Sequence, residues 1–330
     1  MPLEFYKEQG IPEEPNINKE REQEMVDRLL SRPGGKSSPE MEVSLSKIDF
    51  QKLENLFYDI AQKYGIDRDR LNFLGAEKIF GTKIGIPTGS YSVDGNIILI
   101  DDLFAESKKP LAQWQEEGRE RSKEIYGSLE TLFLAMVVHE ETHAVARNFC
   151  VGRFAVKGWN EHSFEHDESG YHKRIIHSKK KNEEGETTYA MFNKFFEAFN
   201  EGVTERLSRH ILTKYCDDTN WPSVEMVKKY RESISNNVAG LNYNEEVDLV
   251  SFVLGCLSRE TGQNEDFWWD KIVEGYFRGG FLDKPETQEL LTKAVGPEFL
   301  GDISKLDPSK VGIGGHEVED LIKKYKGLNK

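Results

Sequence analysis

Two histidines four residues apart are the first feature of this sequence that can carry chemistry. His139 and His143 enclose Glu140, Glu141 and Thr142, which makes an HExxH pentad. Four residues advance an α-helix by about 400°, so both imidazoles emerge on one face and can bind a single metal ion. Glu140 is one residue further round the helix, which places its carboxylate beside the ion, where it can act as a general base.

The residues before the pentad indicate that the histidines are buried. Residues 132–138 read LFLAMVV without a polar interruption, so the helix that carries the pentad is expected to enter the core. Two buried histidines without partners would be costly, and a metal ion would satisfy both. The alternative is a helix with two ordinary histidines and surface glutamates, and the pentad alone does not decide between the two.

A tetrahedral catalytic zinc ion takes three protein ligands and a water molecule, so a third ligand must come from elsewhere in the chain. A metzincin supplies a histidine in the same segment, but positions 146 and 149 are Ala and Phe, which excludes that class. A later helix offers Glu201, with Gly202 beside it to permit close approach of another helix, and Glu205 four residues on. Glu197 lies on the same face as Glu201 and is the rival third ligand.

The combination of HExxH with a later helix bearing NExxTE (residues 200–205) resembles the gluzincin metallopeptidases, the group that includes thermolysin and the aminopeptidase-N-like enzymes. The resemblance implies His139, His143 and Glu201 as ligands of one zinc ion, Glu140 as general base, and Glu205 as the residue that orients His139. It covers two helices, between about residues 129 and 215. The interval of 58 residues from His143 to Glu201 requires an insertion between them, and no GAMEN-like exopeptidase motif is present.

The reaction implied by the resemblance is hydrolysis of peptide bonds by a zinc-activated water, with an endopeptidase favoured and a peptide or protein as substrate. Tyr243, just before a helix, is the first candidate for the donor that stabilises the oxyanion, and its alternative role is to pack that helix onto the core. The strand at residues 96–100 is read as the edge strand along which an extended substrate binds. Two other functions stay open: an inactive zincin-fold protein that binds a peptide or partner, and a non-peptidase zinc hydrolase.

The pattern of elements predicts an α+β fold, which the resemblance makes zincin-like. A flexible tail with a short helix (residues 18–31) occupies residues 1–40, and an N-terminal subdomain ending in the HExxH helix occupies residues 41–150. In that subdomain a capping box of Ser46 and Asp49 opens a helix that ends at Gly65. A small antiparallel sheet follows in residues 72–102, with Asp94-Gly95 as a hairpin turn, then a charged connection at residues 106–122.

The HExxH helix is predicted over residues 129–149, with Ser128 as its N-cap. Residues 151–189 read as an irregular polar insertion that contains one hairpin, with its tip near residues 182–185. Residues 190–330 form a mostly helical C-terminal subdomain that carries the third zinc ligand. Its predicted helices span residues 190–215, 223–235, 244–260, 265–277, 285–295 and 316–325.

Composition excludes several classes. The 330 residues include 44 Lys and Arg against 58 Asp and Glu, a net charge of −14, which disfavours a nucleic-acid binder. No apolar run approaches the roughly 18 to 20 residues of a transmembrane helix, and the N-terminus lacks the features of a secretory signal. Three widely spaced cysteines fit a reducing compartment, so the cytoplasm is the expected location. The oligomeric state is not predicted.

Overall fold

The structure, a computed structural model, describes residues 27, 37–82, 89–92, 96–104, 113–155, 162–180, 187–219, 221–236, 243–306 and 316–328. Two helices open the part described continuously, α1 (Pro39–Ser46) and α2 (Phe50–Ala61). The helix predicted over residues 18–31 lies outside the described residues, apart from Asp27, which is helical.

The first two helices begin at residues other than the sequence predicted. Ser38 accepts a hydrogen bond from the Met41 N–H and caps α1, with a proline in its first turn. Asp49 alone caps α2 through the Lys52 N–H, because Ser46 still belongs to α1. The prediction of a capping box at Ser46 was therefore wrong. Gly65, in a left-handed conformation with φ 71°, ends the segment as predicted, after an intervening 3-10 turn.

The first sheet contains β1 (Ile79–Thr82), β2 (Gly89–Ser92) and β3 (Ile97–Asp101) in the order β1-β3-β2. β3 pairs antiparallel with β2, as the predicted hairpin requires, but parallel with β1, so the sheet is mixed. The Asp94-Gly95 turn lies outside the described residues. The prediction that residues 96–100 form an edge strand was wrong. β3 is largely buried and central, as its nearly unbroken apolar run favours, and β2 is the edge strand next to it.

Two helices precede the second sheet. α3 (Gln113–Tyr126) was not predicted, because its charged sequence within residues 106–122 was read as a connection. α4 (Leu129–Val145) is the HExxH helix, and Ser128 caps it through the Thr131 N–H at 3.0 Å, as predicted. It ends four residues before the predicted limit of 149. The amide of Asn148 donates to the carbonyls of His143 and Ala144, which satisfies the last turn and lets a strand begin.

The second sheet is the insertion between the two helices that carry the candidate ligands. It is an antiparallel meander of four strands that pair in sequence order: β4 (Asn148–Ala155), β5 (His162–Ser169), β6 (His172–Lys180) and β7 (Thr187–Phe195). Pairing of β6 with β7 confirms the hairpin, whose tip lies outside the described residues. The prediction of otherwise irregular chain was wrong, since β4 and β5 pair over most of their length. β7 also replaces the start of the helix predicted over residues 190–215.

The C-terminal half is helical, and the remaining predicted helices are confirmed to within a few residues. Its helices are α5 (Glu197–Asp218), α6 (Val224–Ser235), α7 (Asn244–Thr261), α8 (Glu265–Arg278), α9 (Pro285–Ala294), α10 (Phe299–Ile303) and α11 (Glu317–Leu328). Only α10 was not predicted. α5 contacts both α4 and α7, and the fully buried Phe133, Val137, Phe199 and Val203 of α4 and α5 belong to one hydrophobic core. The fold is α+β, and no helix in the described part is long and apolar enough to cross a bilayer.

Candidate metal centre

The two histidines of the pentad lie inside the molecule. α4 runs through the core with nearly every residue after its first turn buried, and the side chains of His139 and His143 are only 8% and 11% exposed. Ser128 fixes where the helix begins and Asn148 where it ends, so its register is set from both sides. The apolar run before the pentad thus delivers two imidazoles to a buried place, as predicted.

Glu201, on α5, meets both histidines. Its Oε2 atom lies 3.2 Å from Nε2 of His139 and 3.2 Å from Nε2 of His143, and the two Nε2 atoms are 3.2 Å apart. Tetrahedral zinc with ligands at about 2.0–2.1 Å separates its ligand atoms by about 3.3 Å. The three atoms therefore form an equilateral set whose size is compatible with one tetrahedrally coordinated metal ion. In the described part of the chain, this is the group of histidine and acidic residues that could hold a metal ion.

The chemistry of the three atoms also fits a cation. Nδ1 of His139 lies 2.9 Å from a carboxylate oxygen of Glu205, so Nδ1 carries the proton and Nε2 of the neutral ring presents a lone pair. Burial lowers the pKa of His139, but the hydrogen bonds to Glu201 and Glu205 outweigh it and raise the pKa well above its usual value. A proton on Nε2 would therefore compete with a metal ion for this place.

Glu197, the rival third ligand, lies outside this group. Its carboxylate pairs with the ammonium group of Lys194, at the end of β7. Glu201 is one turn further along α5, where Gly202 lets the helix approach α7 closely. A Cβ atom on Gly202 would lie 2.2 Å from the carbonyl oxygen of Glu246, so no other residue fits without moving the helices apart. The predicted use of Gly202 is confirmed.

Glu205 lies behind His139, as the resemblance implied. Its second carboxylate oxygen accepts a hydrogen bond from Nε of Arg209 at 2.6 Å. Burial opposes ionisation of Glu205, but the hydrogen bond to His139 and the charge of Arg209 keep its pKa below the usual value. Arg209 was not predicted, although its position four residues after Glu205 on one helix is the spacing of a helical ion pair.

Glu140 lies between the histidines and the first sheet. It is buried, its carboxylate accepts the backbone N–H of Tyr91, and a Cβ atom on Gly89 would lie 2.5 Å from its Oε1 atom. Strand β2 thus runs directly over this carboxylate. Burial raises the pKa of Glu140 above the usual value for a glutamate, although the two histidines act in the opposite direction.

Tyr243, the candidate oxyanion donor, is at the same place. Its ring stacks on the ring of His139, with centroids 5.0 Å apart and an angle of 10° between the planes. The backbone of Tyr243 is left-handed, with φ 57°, immediately before α7 begins. The negative charge of Glu201 and burial raise its pKa well above the usual value, so its hydroxyl keeps its proton. The structure brings all six residues predicted for the site together.

No protein-family model matches this chain, and it matches no curated protein and no solved structure at a significant level. The resemblance to gluzincins therefore depends on the motif residues and on the geometry described above.

Proposed function

We propose that this protein is a zinc-dependent metallopeptidase, with endopeptidase activity favoured. The observation that carries the proposal is the meeting of His139, His143 and Glu201 within 3.2 Å, with the buried carboxylate of Glu140 on the next position of the same helix. Two imidazole nitrogens and one carboxylate oxygen are a common ligand set of catalytic zinc in peptidases. A bound zinc ion would supply a lowered pKa for a water molecule and polarisation of the substrate carbonyl.

Glu140 acts as the general base in this proposal. Its carboxylate accepts a proton from the attacking water and passes the proton to the nitrogen of the leaving amine. The raised pKa of Glu140 suits both steps, because a base whose pKa lies nearer neutrality returns the proton more readily than an ordinary glutamate does. Burial beside β2 also keeps the carboxylate away from bulk water, where the proton would be lost to solvent.

Tyr243 donates its hydroxyl proton in a hydrogen bond to the oxygen of the scissile carbonyl as that oxygen gains negative charge. The stack on His139 keeps the tyrosine beside the candidate zinc ligands. Because its pKa is raised, the hydroxyl keeps the proton that it donates in this hydrogen bond. An extended substrate is expected to approach along β2, since β3 is enclosed between β1 and β2.

The test is a measurement of metal content and proteolysis on the full chain. We expect about one zinc ion per chain after purification and cleavage of casein, an unfolded substrate, that stops on addition of 1,10-phenanthroline and returns with added zinc. Zinc binding without cleavage of casein or of a peptide library would support a non-cleaving peptide-binding protein. Absence of zinc from the wild-type chain after zinc loading would reject the proposal.

A further inference from the structure

We infer that Thr204 and Tyr276 are positioning residues for His143, and that the turn between β5 and β6 of the inserted sheet locks them in place. The inference depends on the proposed metal centre, but it concerns residues to which neither the motif nor the resemblance gives a role. It also gives a function at the site to the second sheet, which lies between the two ligand-bearing helices in the sequence.

The hydrogen-bond chain begins at a backbone carbonyl of α4. The Tyr276 hydroxyl lies 3.1 Å from the carbonyl oxygen of Thr142, to which it donates. Its oxygen lies 2.7 Å from Oγ1 of Thr204, so the Thr204 hydroxyl donates to Tyr276. The lone pairs of Thr204 are then left for Nδ1 of His143, at 3.4 Å. A proton held on Nδ1 leaves Nε2 of His143 with the lone pair that a metal ion needs.

Asn200 is the other polar group beside His143, and it cannot replace Thr204. Its Oδ1 atom accepts the backbone N–H of Tyr171 at 2.8 Å, which turns its NH2 group toward Nδ1 of His143, at 3.5 Å. An NH2 group is a donor and cannot accept the Nδ1 proton. Thr204 is therefore the acceptor that selects the metal-binding tautomer of His143. The side chains of Asn200, Thr204 and Tyr276 are essentially excluded from solvent, so water does not compete for these bonds.

The turn between β5 and β6 packs against Asn200 and Tyr276. Gly170 has φ 57°, and a Cβ atom there would lie 2.5 Å from both Oδ1 of Asn200 and Cε2 of Tyr276. The Tyr171 hydroxyl donates to the carbonyl of Ile272, one turn before Tyr276 on α8, at 2.7 Å. The turn between β5 and β6 thus contacts Asn200, which lies beside His143, and Tyr276, which bonds to Thr204, and no larger residue fits at position 170.

The experiment measures zinc affinity of the full chain by competition with a chromophoric chelator. We expect Thr204→Val to weaken zinc binding about 10- to 100-fold, as loss of a hydrogen-bond partner of a metal-ligating histidine typically does, and Thr204→Ser to restore most of it. Tyr276→Phe removes the acceptor of the Thr204 hydroxyl, which can then turn its proton toward Nδ1 of His143. That favours the tautomer with the proton on Nε2, so Tyr276→Phe should also weaken zinc binding. The absorption spectrum of the cobalt-substituted protein should change in Thr204→Val and Tyr276→Phe, which loss of stability alone would not cause.

Gly170→Ala and Gly262→Ala are a matched pair for the turn. Both glycines have positive φ (57° and 72°), so alanine strains the backbone at each, but position 262 has no atom within 4 Å of the added Cβ. We expect both to lower the melting temperature and only Gly170→Ala to weaken zinc binding. If folded Thr204→Val and Tyr276→Phe both keep the zinc affinity of the wild type, the inference is overturned, but the proposed metal centre is not. Failure of the wild type to bind zinc would overturn the proposed metal centre itself.

Discussion

The ring of Tyr243 lies flat on the ring of His139, with the two centroids 5.0 Å apart and the planes 10° from parallel. Nδ1 of His139 forms a hydrogen bond with the carboxylate of Glu205, and this carboxylate accepts a second hydrogen bond from Arg209. Arg209 in turn donates to Oδ1 of Asn244, the neighbour of Tyr243 in the chain, at 2.8 Å. These contacts lead from Tyr243 through His139, Glu205 and Arg209 back to Asn244, the next residue in the chain. The position of the tyrosine and the orientation of the imidazole therefore depend on each other.

The hydroxyl and the ring of Tyr243 are separable by mutation. Tyr243→Phe keeps the stack on His139 but removes the donor, so we expect unchanged zinc content and a kcat about 100-fold lower, the usual cost of losing one oxyanion donor. Tyr243→Ala removes the stack as well and should also weaken zinc binding. Steady-state kinetics on a fluorogenic peptide, with zinc content measured on the same samples, tests this. Wild-type kcat in Tyr243→Phe would remove the tyrosine from the mechanism.

Glu201 and Glu197 are one turn apart on α5, and only Glu201 reaches the histidines. We expect Glu201→Gln to lose most of its bound zinc, because the neutral amide replaces a charged ligand, and Glu197→Gln to retain it. Elemental analysis of both purified variants after dialysis against zinc-free buffer makes the comparison. Retention of zinc by Glu201→Gln together with its loss from Glu197→Gln would reverse the assignment.

Glu205 orients His139 without belonging to the set of three ligand atoms. Glu205→Gln keeps the shape but removes the negative charge shared with Arg209, so zinc affinity should fall about 10-fold or more. Glu289→Gln, which removes a carboxylate from a surface pair with Lys293, is the control and should bind zinc like the wild type. Equal affinity of all three proteins in a chelator competition would show that the charge of Glu205 does not influence the site.

Glu141 gives the stability of the metal-free chain a pH dependence. It is fully buried, its two oxygens accept the backbone N–H groups of Leu74 and Gly75, and burial raises its pKa from 4.5 to about 8. Between these values the unfolded chain ionises while the folded chain keeps the proton, so the contribution of Glu141 to the free energy of unfolding falls as pH rises, by about 4 kcal/mol over the window.

Glu141→Gln should remove this part of the dependence, although it also loses one of the two backbone hydrogen bonds. Urea unfolding of the metal-free wild type and variant at pH 5, 6.5 and 8 isolates the contribution, because the other titrating groups are common to both proteins. Parallel curves of unfolding free energy against pH would mean that Glu141 ionises in the folded chain as it does in the unfolded one.

The core of the site could be predicted from the sequence because helical geometry fixes which residues are neighbours. The spacing of His139 and His143 places them on one face whatever the rest of the chain does, and the same holds for Glu201 and Glu205. That the two helices meet was an expectation from the resemblance, and the 3.2 Å separation of Glu201 from both histidines agrees with it.

Other features depend on contacts between distant parts of the chain. Residues 190–195 of β7 were predicted as the start of a helix, because their apolar residues also fit a helical spacing, but they pair with β6 as a strand. Whether β2 or β3 lies at the edge of the first sheet depends on β1, which a hairpin pattern does not locate. Tyr276 meets Thr204 across 72 residues, and no local pattern marks it as a neighbour of the metal centre.

The most direct measurement is the rate of casein cleavage by Glu140→Gln compared with that of the wild type at equal zinc content. The glutamine fills the same space beside Gly89 and leaves His139 and His143 in place, but it cannot accept a proton from water. We expect the variant to bind one zinc ion per chain and to lose cleavage by at least about 100-fold, the lower end for a positioned general base. Equal rates at equal zinc content would contradict a zinc-peptidase mechanism with Glu140 as its base.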